Sequence, residues 1–347
     1  MSNISKNNVH IENILKKMEK KGYEGYLLSQ FTNIFYISNY FPTSFAFCII
    51  KENPIIFTSK MDMEIANKTS DIEIIEFKSF SIINDILKEE GISKIAIEPS
   101  LPISTFKKFE KDFNLGIENF ISEERMIKSP DEISKITKAT EIAQKSMKEL
   151  DILSKYEKKA TELELAYELG KIIRDNGAEK ESFDTIITSG ANSSLPHAVP
   201  LNKPLEKLIL MDWGVKYEGY CSDNSRTIVS TEKEHEIFDI VLEAHNKAIK
   251  FIKPGIKSCE VDKFARGIIS EYGYGDNFIH STGHSLGLDI HESPNFSKKD
   301  ETILEKNMVM TVEPGIYLEN EFGVRIEDTI HIGNKGKIIG NLPYIIE

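Results

Sequence analysis

Two stretches of this 347-residue chain place carboxylates at the ends of apolar, strand-like runs. Leu208-Ile-Leu-Met211 leads into Asp212, and Met308-Val-Met-Thr-Val312 leads into Glu313. A charge at the end of a buried run is costly unless something pairs with it. Each run is followed by a polar turn and a second β-branched stretch, which is a hairpin pattern. With the first turn at Tyr217-Glu218, Asp212 stands opposite Asp223. In the second, Glu313 and Glu327 lie symmetrically about Asn320, and Pro314 restricts its strand to an edge or a bulge. Like charges opposed across a ladder destabilise it, whereas a cation between them reverses the sign. A plainer reading stays open for the first pair: Asp212 as a turn residue before Gly214, and Asp223 as a surface residue.

Histidines add a third element. His280, His284 and His291 cluster within Ile279–Glu292, and His197 sits in the rigid loop Ser194-Leu-Pro-His-Ala-Val-Pro200. His10, His235 and His245 fall on helix-like segments and read as structural or exposed. Four carboxylates and one glycine-flanked imidazole suit two divalent metals bridged by carboxylates and a water. Oxygen-rich ligation favours manganese over a thiolate-type zinc centre, and there is no CxxC pair. Two ions about 3.5–4 Å apart activate a shared water and polarise a carbonyl, which is peptide or amide hydrolysis chemistry. One motif competes. Gly283-His-Ser285-Leu-Gly287 fits the nucleophile elbow of serine hydrolases, with Asp328 and His331 downstream in the required order. That elbow needs a helix after the serine, and Leu286–Pro294 reads as strand-like instead.

The first 120 or so residues alternate strand-like and helix-like segments, indicating a mixed sheet with covering helices. Tyr26–Leu28, Phe45–Ile50, Ile55–Thr58, Ile72–Phe77 and Ile95–Glu98 read as strands. A boundary near Ile121–Lys128 divides the chain into an α/β domain, 1–125, and a second domain, 126–347. Capping boxes at Ser129/Glu132 and Thr161/Glu164 open two helices. Two more are expected over about Glu232–Lys253 and Glu260–Glu271. Strand-rich stretches at Ser182–Ser189, Lys207–Ser230, Phe278–His291 and Met308–Ile332 make the second domain α+β, with helices on a curved, largely antiparallel sheet.

Composition removes other classes. Acidic residues number 55 against 43 basic ones, a net charge of -12, which argues against a nucleic-acid partner. The run Phe45–Ile50 is far short of a membrane span, and the polar stretch Met1–His10 lacks a signal core. Three scattered cysteines (Cys48, Cys221, Cys259) exclude a disulfide framework and fit a reducing cytoplasm.

These residues together carry a resemblance. Asp212-Trp-Gly214, Ser222-Asp-Asn-Ser-Arg-Thr227, Thr282-Gly-His284, His291-Glu-Ser-Pro294, Glu313-Pro-Gly315 and Arg325-Ile-Glu327-Asp328 match, in order, the pita-bread metallopeptidases. That family includes prolidase, aminopeptidase P and methionine aminopeptidase. Ser182–Ile187, Asn192–His197 and Thr32-Asn-Ile-Phe-Tyr36 extend the likeness over nearly the whole chain. The resemblance implies a pita-bread catalytic domain behind a smaller α/β creatinase-type domain. It implies Asp212, Asp223, His284, Glu313 and Glu327 as ligands of two divalent ions, with manganese expected and cobalt or zinc as alternatives. It further implies Glu313 as proton shuttle and His197 and His291 as groups that position substrate and stabilise the tetrahedral intermediate. Phe183 and Ile290 would wall an apolar pocket, with Arg325 also contacting substrate. The expected activity is cleavage of Xaa-Pro dipeptides by a homodimer, with an Xaa-Pro aminopeptidase acting on longer peptides as the alternative. Many microbial prolidases carry an arginine after the proline of the His-Glu-x-Pro segment, where this chain has Asn295. That leaves Lys298, Lys299 or Arg325 to meet a substrate carboxylate, or an open site.

Overall fold

The structure is a computed structural model, and residues 6–345 are described; the first five residues of the polar N-terminal stretch lie outside the described residues. The chain forms two compact units, residues 1–125 and 126–347.

In the first unit, strands β1 (Gly25–Leu28), β2 (Ala46–Ile50), β3 (Ile55–Thr58), β4 (Glu73–Glu76), β5 (Lys94–Ile97) and β6 (Asn114–Ile117) form one sheet in the order β4-β3-β2-β1-β5-β6. The β1–β2 and β2–β3 pairs are antiparallel and the other three parallel, so the sheet is mixed. The segment Phe31–Ser38 is a helix that apolar periodicity does not mark. The buried carboxylate of Glu98 accepts from the backbone N–H groups of Ser29 and Gln30 and from Asn33 Nδ2. A carboxylate on these otherwise unpaired donors is what fixes the helix start.

The second unit adds β7 (Lys180–Glu181), β8 (Ile186–Ser189), β9 (Ile209–Trp213), β10 (Val215–Tyr217), β11 (Tyr220–Cys221) and β12 (Asn224–Ile228). After two helices follow β13 (Gly283–Ser285), β14 (Glu292–Phe296), β15 (Val309–Val312), β16 (Gly315–Leu318), β17 (Phe322–Arg325), β18 (Glu327–Ile332) and β19 (Gly336–Ile338). The main sheet runs β14-β13-β15-β18-β12-β9-β8, with β19 on β18, and its recorded pairings are antiparallel. Both expected capping boxes are formed, at Ser129/Glu132 and Thr161/Glu164. The helix Pro130–Leu150 buries Ile136, Ala139, Ala143, Met147 and Leu150 and accepts Trp213 Nε1–H at the Ala143 carbonyl. Each large side chain buried this way contributes roughly 1.5–3 kcal/mol, which holds the ligand-bearing strands in place. Helices Glu232–Phe251 and Ser258–Glu271 pack on the same sheet.

The first hairpin departs from expectation. Its turn residues are Glu218 and Gly219, both at positive φ (45° and 82°), between the paired Tyr217 and Tyr220. Both central residues in the left-handed region are what a two-residue hairpin loop requires, and Gly219 supplies this at little cost. Asp212 therefore pairs with Ser225, and not with Asp223. The shift is two residues, so both aspartates keep the same face. The second hairpin keeps the expected centre, with Asn320 at φ 59°. Val312 pairs with Asp328 in one sheet, and Gly315 with Arg325 in the next. Glu313 and Glu327 thus flank the junction where the ladder passes from one sheet to the other, with Pro314 between β15 and β16. A second departure lies in Phe278–His291, where only Gly283–Ser285 is strand and residues 287–291 form bends.

Candidate metal centre and active site

Five adjacent strands of the main sheet, β13, β15, β18, β12 and β9, deliver the five expected ligands. Asp212 sits near the end of β9, Asp223 just before β12, and His284 in β13; Glu313 follows β15 and Glu327 opens β18. His284 Nε2 lies 3.6 Å from Asp223 Oδ2 and 3.4 Å from Glu313 Oε1. Ligand atoms of Asp223, His284 and Glu327 all fall within 4.8 Å of one another. The imidazole shares a hydrogen bond at Nδ1 with the Ser285 carbonyl, 3.1 Å away. That acceptor assigns the proton to Nδ1 and leaves the Nε2 lone pair facing the carboxylates.

The electrostatics are those of a site short of a cation. Burial, then the neighbouring carboxylates, push Asp223 and Glu327 well above the ordinary carboxylate range. Burial raises Glu313 to about 7. Burial also lowers His284, keeping it neutral. Asp212 Oδ1, Asp223 Oδ1 and Glu327 Oε1 are buried and accept no hydrogen bond from any described residue. Orphaned buried oxygens on converging carboxylates, beside a neutral imidazole nitrogen, are a donor set that fits divalent metal ions.

A cavity of about 480 Å³ opens over these groups and is lined by all five. His197 and His291 line it too, both exposed to it, with the His291 ring 4.4 Å from that of His284. Phe183 and Ile290 are among its apolar walls. Arg325 also lines it, but its guanidinium is already engaged. Nε donates to Ser225 Oγ, Nη1 to Tyr317 Oη and the Pro196 carbonyl, and Nη2 to Asp212 Oδ2 at 2.6 Å. It braces Asp212, so the expected substrate contact meets a guanidinium with every nitrogen committed to the protein.

Tyr317 was not legible as part of this site. It shares a hydrogen bond with His280 Nε2 at 2.9 Å, extending the chain from Asp212 through Arg325. Its ring needs room that only glycine gives: a Cβ at Gly323 would sit 2.6 Å from Tyr317 Cδ1. Lys128 is a second unforeseen residue. It is 1% exposed, and Nζ donates to Ser285 Oγ at 3.0 Å and Glu292 Oε2 at 3.1 Å. It therefore ties together the two ends of the bends that carry Ile290 and His291.

The serine-hydrolase alternative fails on geometry. Ser285 lies inside β13 with bends after it, and its hydroxyl donates to the Val309 carbonyl. Asp328 pairs with Arg226 and His245, while His331 meets Asn307. The three residues do not form a triad.

The model of metallopeptidase family M24 matches residues 134–334, more than half the chain. The chain belongs to metallopeptidase family M24. In this family member a creatinase/prolidase N-terminal domain also matches residues 10–128. The M24 chain is 40% identical to an Xaa-Pro dipeptidase of Pyrococcus horikoshii over 95% of each chain. It superposes on the prolidase structure from that organism with a TM-score of 0.90, at 39% identity, covering 97% of this chain and 99% of the other. It superposes on an X-Pro aminopeptidase from Thermotoga maritima with a TM-score of 0.88, at 32% identity, covering 97% and 98%. Among the described residues no helix is long and apolar enough to cross a membrane.

Proposed function

We propose that this M24 peptidase is an Xaa-Pro dipeptidase that hydrolyses the bond before proline, using two divalent ions held by Asp212, Asp223, His284, Glu313 and Glu327. The observation that carries the reading is the convergence of Asp223, His284 and Glu327 within 4.8 Å, with Asp212 and Glu313 lining the same cavity and three carboxylate oxygens buried and partnerless. The near-full-length identity to Xaa-Pro dipeptidases supports the substrate class. Divalent ions bound there supply Lewis-acid polarisation of the scissile carbonyl and a water activated at neutral pH.

The chain's own groups divide the remaining work. Arg325 holds Asp212 in place. Glu313 keeps 16% of its side chain exposed to the cavity. It takes the proton from the attacking water and returns it to the proline nitrogen as the C–N bond breaks, releasing a free amino acid and proline. His197 and His291 donate to the oxyanion that develops on the carbonyl oxygen. Phe183 and Ile290 exclude water from the residue being cleaved. Manganese is the ion we assign, because the donor set is four carboxylates and one imidazole. A cytoplasmic setting is in keeping with three free cysteines, and the homodimer follows only from the family resemblance.

A second reading, an Xaa-Pro aminopeptidase acting on longer peptides, is supported by the neutral Asn295 on the cavity wall. Comparing kcat/KM for Ala-Pro and Ala-Pro-Ala separates the two. Preference for Ala-Pro supports the dipeptidase, preference for Ala-Pro-Ala the aminopeptidase, and cleavage of neither overturns proline specificity.

A further inference from the structure

A second cavity, of about 520 Å³, adjoins the catalytic one, and His280 and Ser281 line both. Four side chains of lasting positive charge line the two cavities: Arg325 in the first, and Arg266, Lys298 and Lys299 in the second. Two of them are committed to the protein. Arg325 is engaged as described. Arg266 meets Asp262 through Nε and Nη2, and also donates to the Phe278 and His280 carbonyls. Lys298 and Lys299 are exposed and make no hydrogen bond or ion pair with any described residue.

The carboxylates are distributed unequally. In the second cavity Asp262 is neutralised by Arg266, leaving Asp276 against two lysines. In the first, Asp184 is exposed at the wall and takes no hydrogen bond from a described residue. A peptide spanning both cavities can therefore meet a free carboxylate in the first and free cations in the second. Its ammonium end belongs on the Asp184 side and its carboxylate end beside the lysines. Each residue of extended chain adds about 3.3–3.6 Å, and the shared His280–Ser281 border gives a chain that continues past proline a way into the second cavity.

We propose that Lys298 and Lys299 form an anion subsite for the C-terminal carboxylate of peptides extending one or two residues beyond proline. This rests on the Xaa-Pro reading above, and names three- and four-residue peptides with a free C-terminus as an additional substrate class. Exposed lysines act on such a carboxylate as point charges that salt screens.

The test compares kcat/KM for Ala-Pro-Ala and its C-terminal amide in the metal-loaded enzyme, and then in K298M/K299M. The expected preference of wild type for the free acid is roughly fivefold, the scale of one or two exposed ion pairs. In K298M/K299M the ratio should fall to near one, and in wild type it should shrink as salt is raised. Equal rates for acid and amide in wild type, or a preference that survives K298M/K299M, overturn the subsite while leaving Xaa-Pro cleavage standing. Cleavage of no Xaa-Pro bond in any of these peptides overturns both.

Discussion

Arg325 reaches across 113 residues of chain to donate from Nη2 to Asp212 Oδ2 at 2.6 Å. This is a guanidinium bracing a residue that we assign to the metal centre, in a site where Asp212 Oδ1 has no other partner. Replacing it by R325M removes the brace and leaves Asp212 to the metal alone. Loss of such an outer partner costs about 10–100-fold in metal affinity or activity. Isothermal titration with manganese, alongside kcat, checks this. Unchanged affinity and unchanged kcat would return Arg325 to a purely structural role.

The metal-free protein should be most stable at about pH 5–6. Above about pH 6.5 the histidines are neutral both folded and unfolded. Asp223, Glu327 and Glu313, the last at about 7, still hold protons more tightly when folded. The folded state then binds more protons than the unfolded one, so stability falls as pH rises through 7. Below about pH 6.5 His280, His284 and His291, all lowered by burial, bind protons only on unfolding. This opposes the three carboxylates that the folded state still keeps protonated, and stability falls with pH only once the unfolded chain binds more protons than they do, below about pH 5.5. Melting temperatures of chelated protein from pH 5 to 8 should peak between these arms. Saturating manganese should abolish the loss on the alkaline side. A melting temperature that climbs steadily to pH 8 without metal contradicts the cation-deficient site.

His197→Ala and His291→Ala should retain metal and fold, since both side chains are exposed to the cavity. Each should lower kcat and kcat/KM together, by on the order of a hundredfold, as removal of an oxyanion donor does. Elemental analysis with steady-state kinetics on Ala-Pro reads both quantities. Wild-type turnover in both variants would remove them from the chemistry.

Lys128→Met should destabilise the protein by about 1–3 kcal/mol, because Glu292 loses its cationic partner in a nearly closed environment while keeping the Asp289 N–H; their side chains are 1% and 7% exposed. K128M/E292Q should recover part of that loss. Urea denaturation of the two variants measures it, and a double variant no more stable than K128M would show that the pair is not the source.

How far these features could be read in advance follows the distance over which they act. The Ser129 and Thr161 boxes are set by residues three apart, and both formed. Asn320 as the centre of the second hairpin was also legible, because an asparagine that tolerates the left-handed region sits midway between two apolar runs. The first hairpin slipped by two residues because opposing Asp212 to Asp223 outweighed Gly219, the residue whose backbone freedom sets that turn. The candidate ligands were legible as charges stranded in apolar strands, and the structure brings all five around one cavity. What holds them was not. Lys128–Glu292 spans 164 residues and Arg325–Asp212 spans 113, and no local pattern ties either pair together. Tyr317 carried no signal except the glycines at 315 and 323 that make space for its ring.

The decisive experiment is a metal titration of the chelated enzyme read by both elemental analysis and Ala-Pro hydrolysis. Activity should be absent from protein stripped of metal and should rise to a plateau at two bound divalent ions. The variant D223N should fail to reach that plateau. Full Ala-Pro hydrolysis by protein stripped of metal, or a plateau that D223N reaches unchanged, would contradict the dinuclear site built on Asp212, Asp223, His284, Glu313 and Glu327.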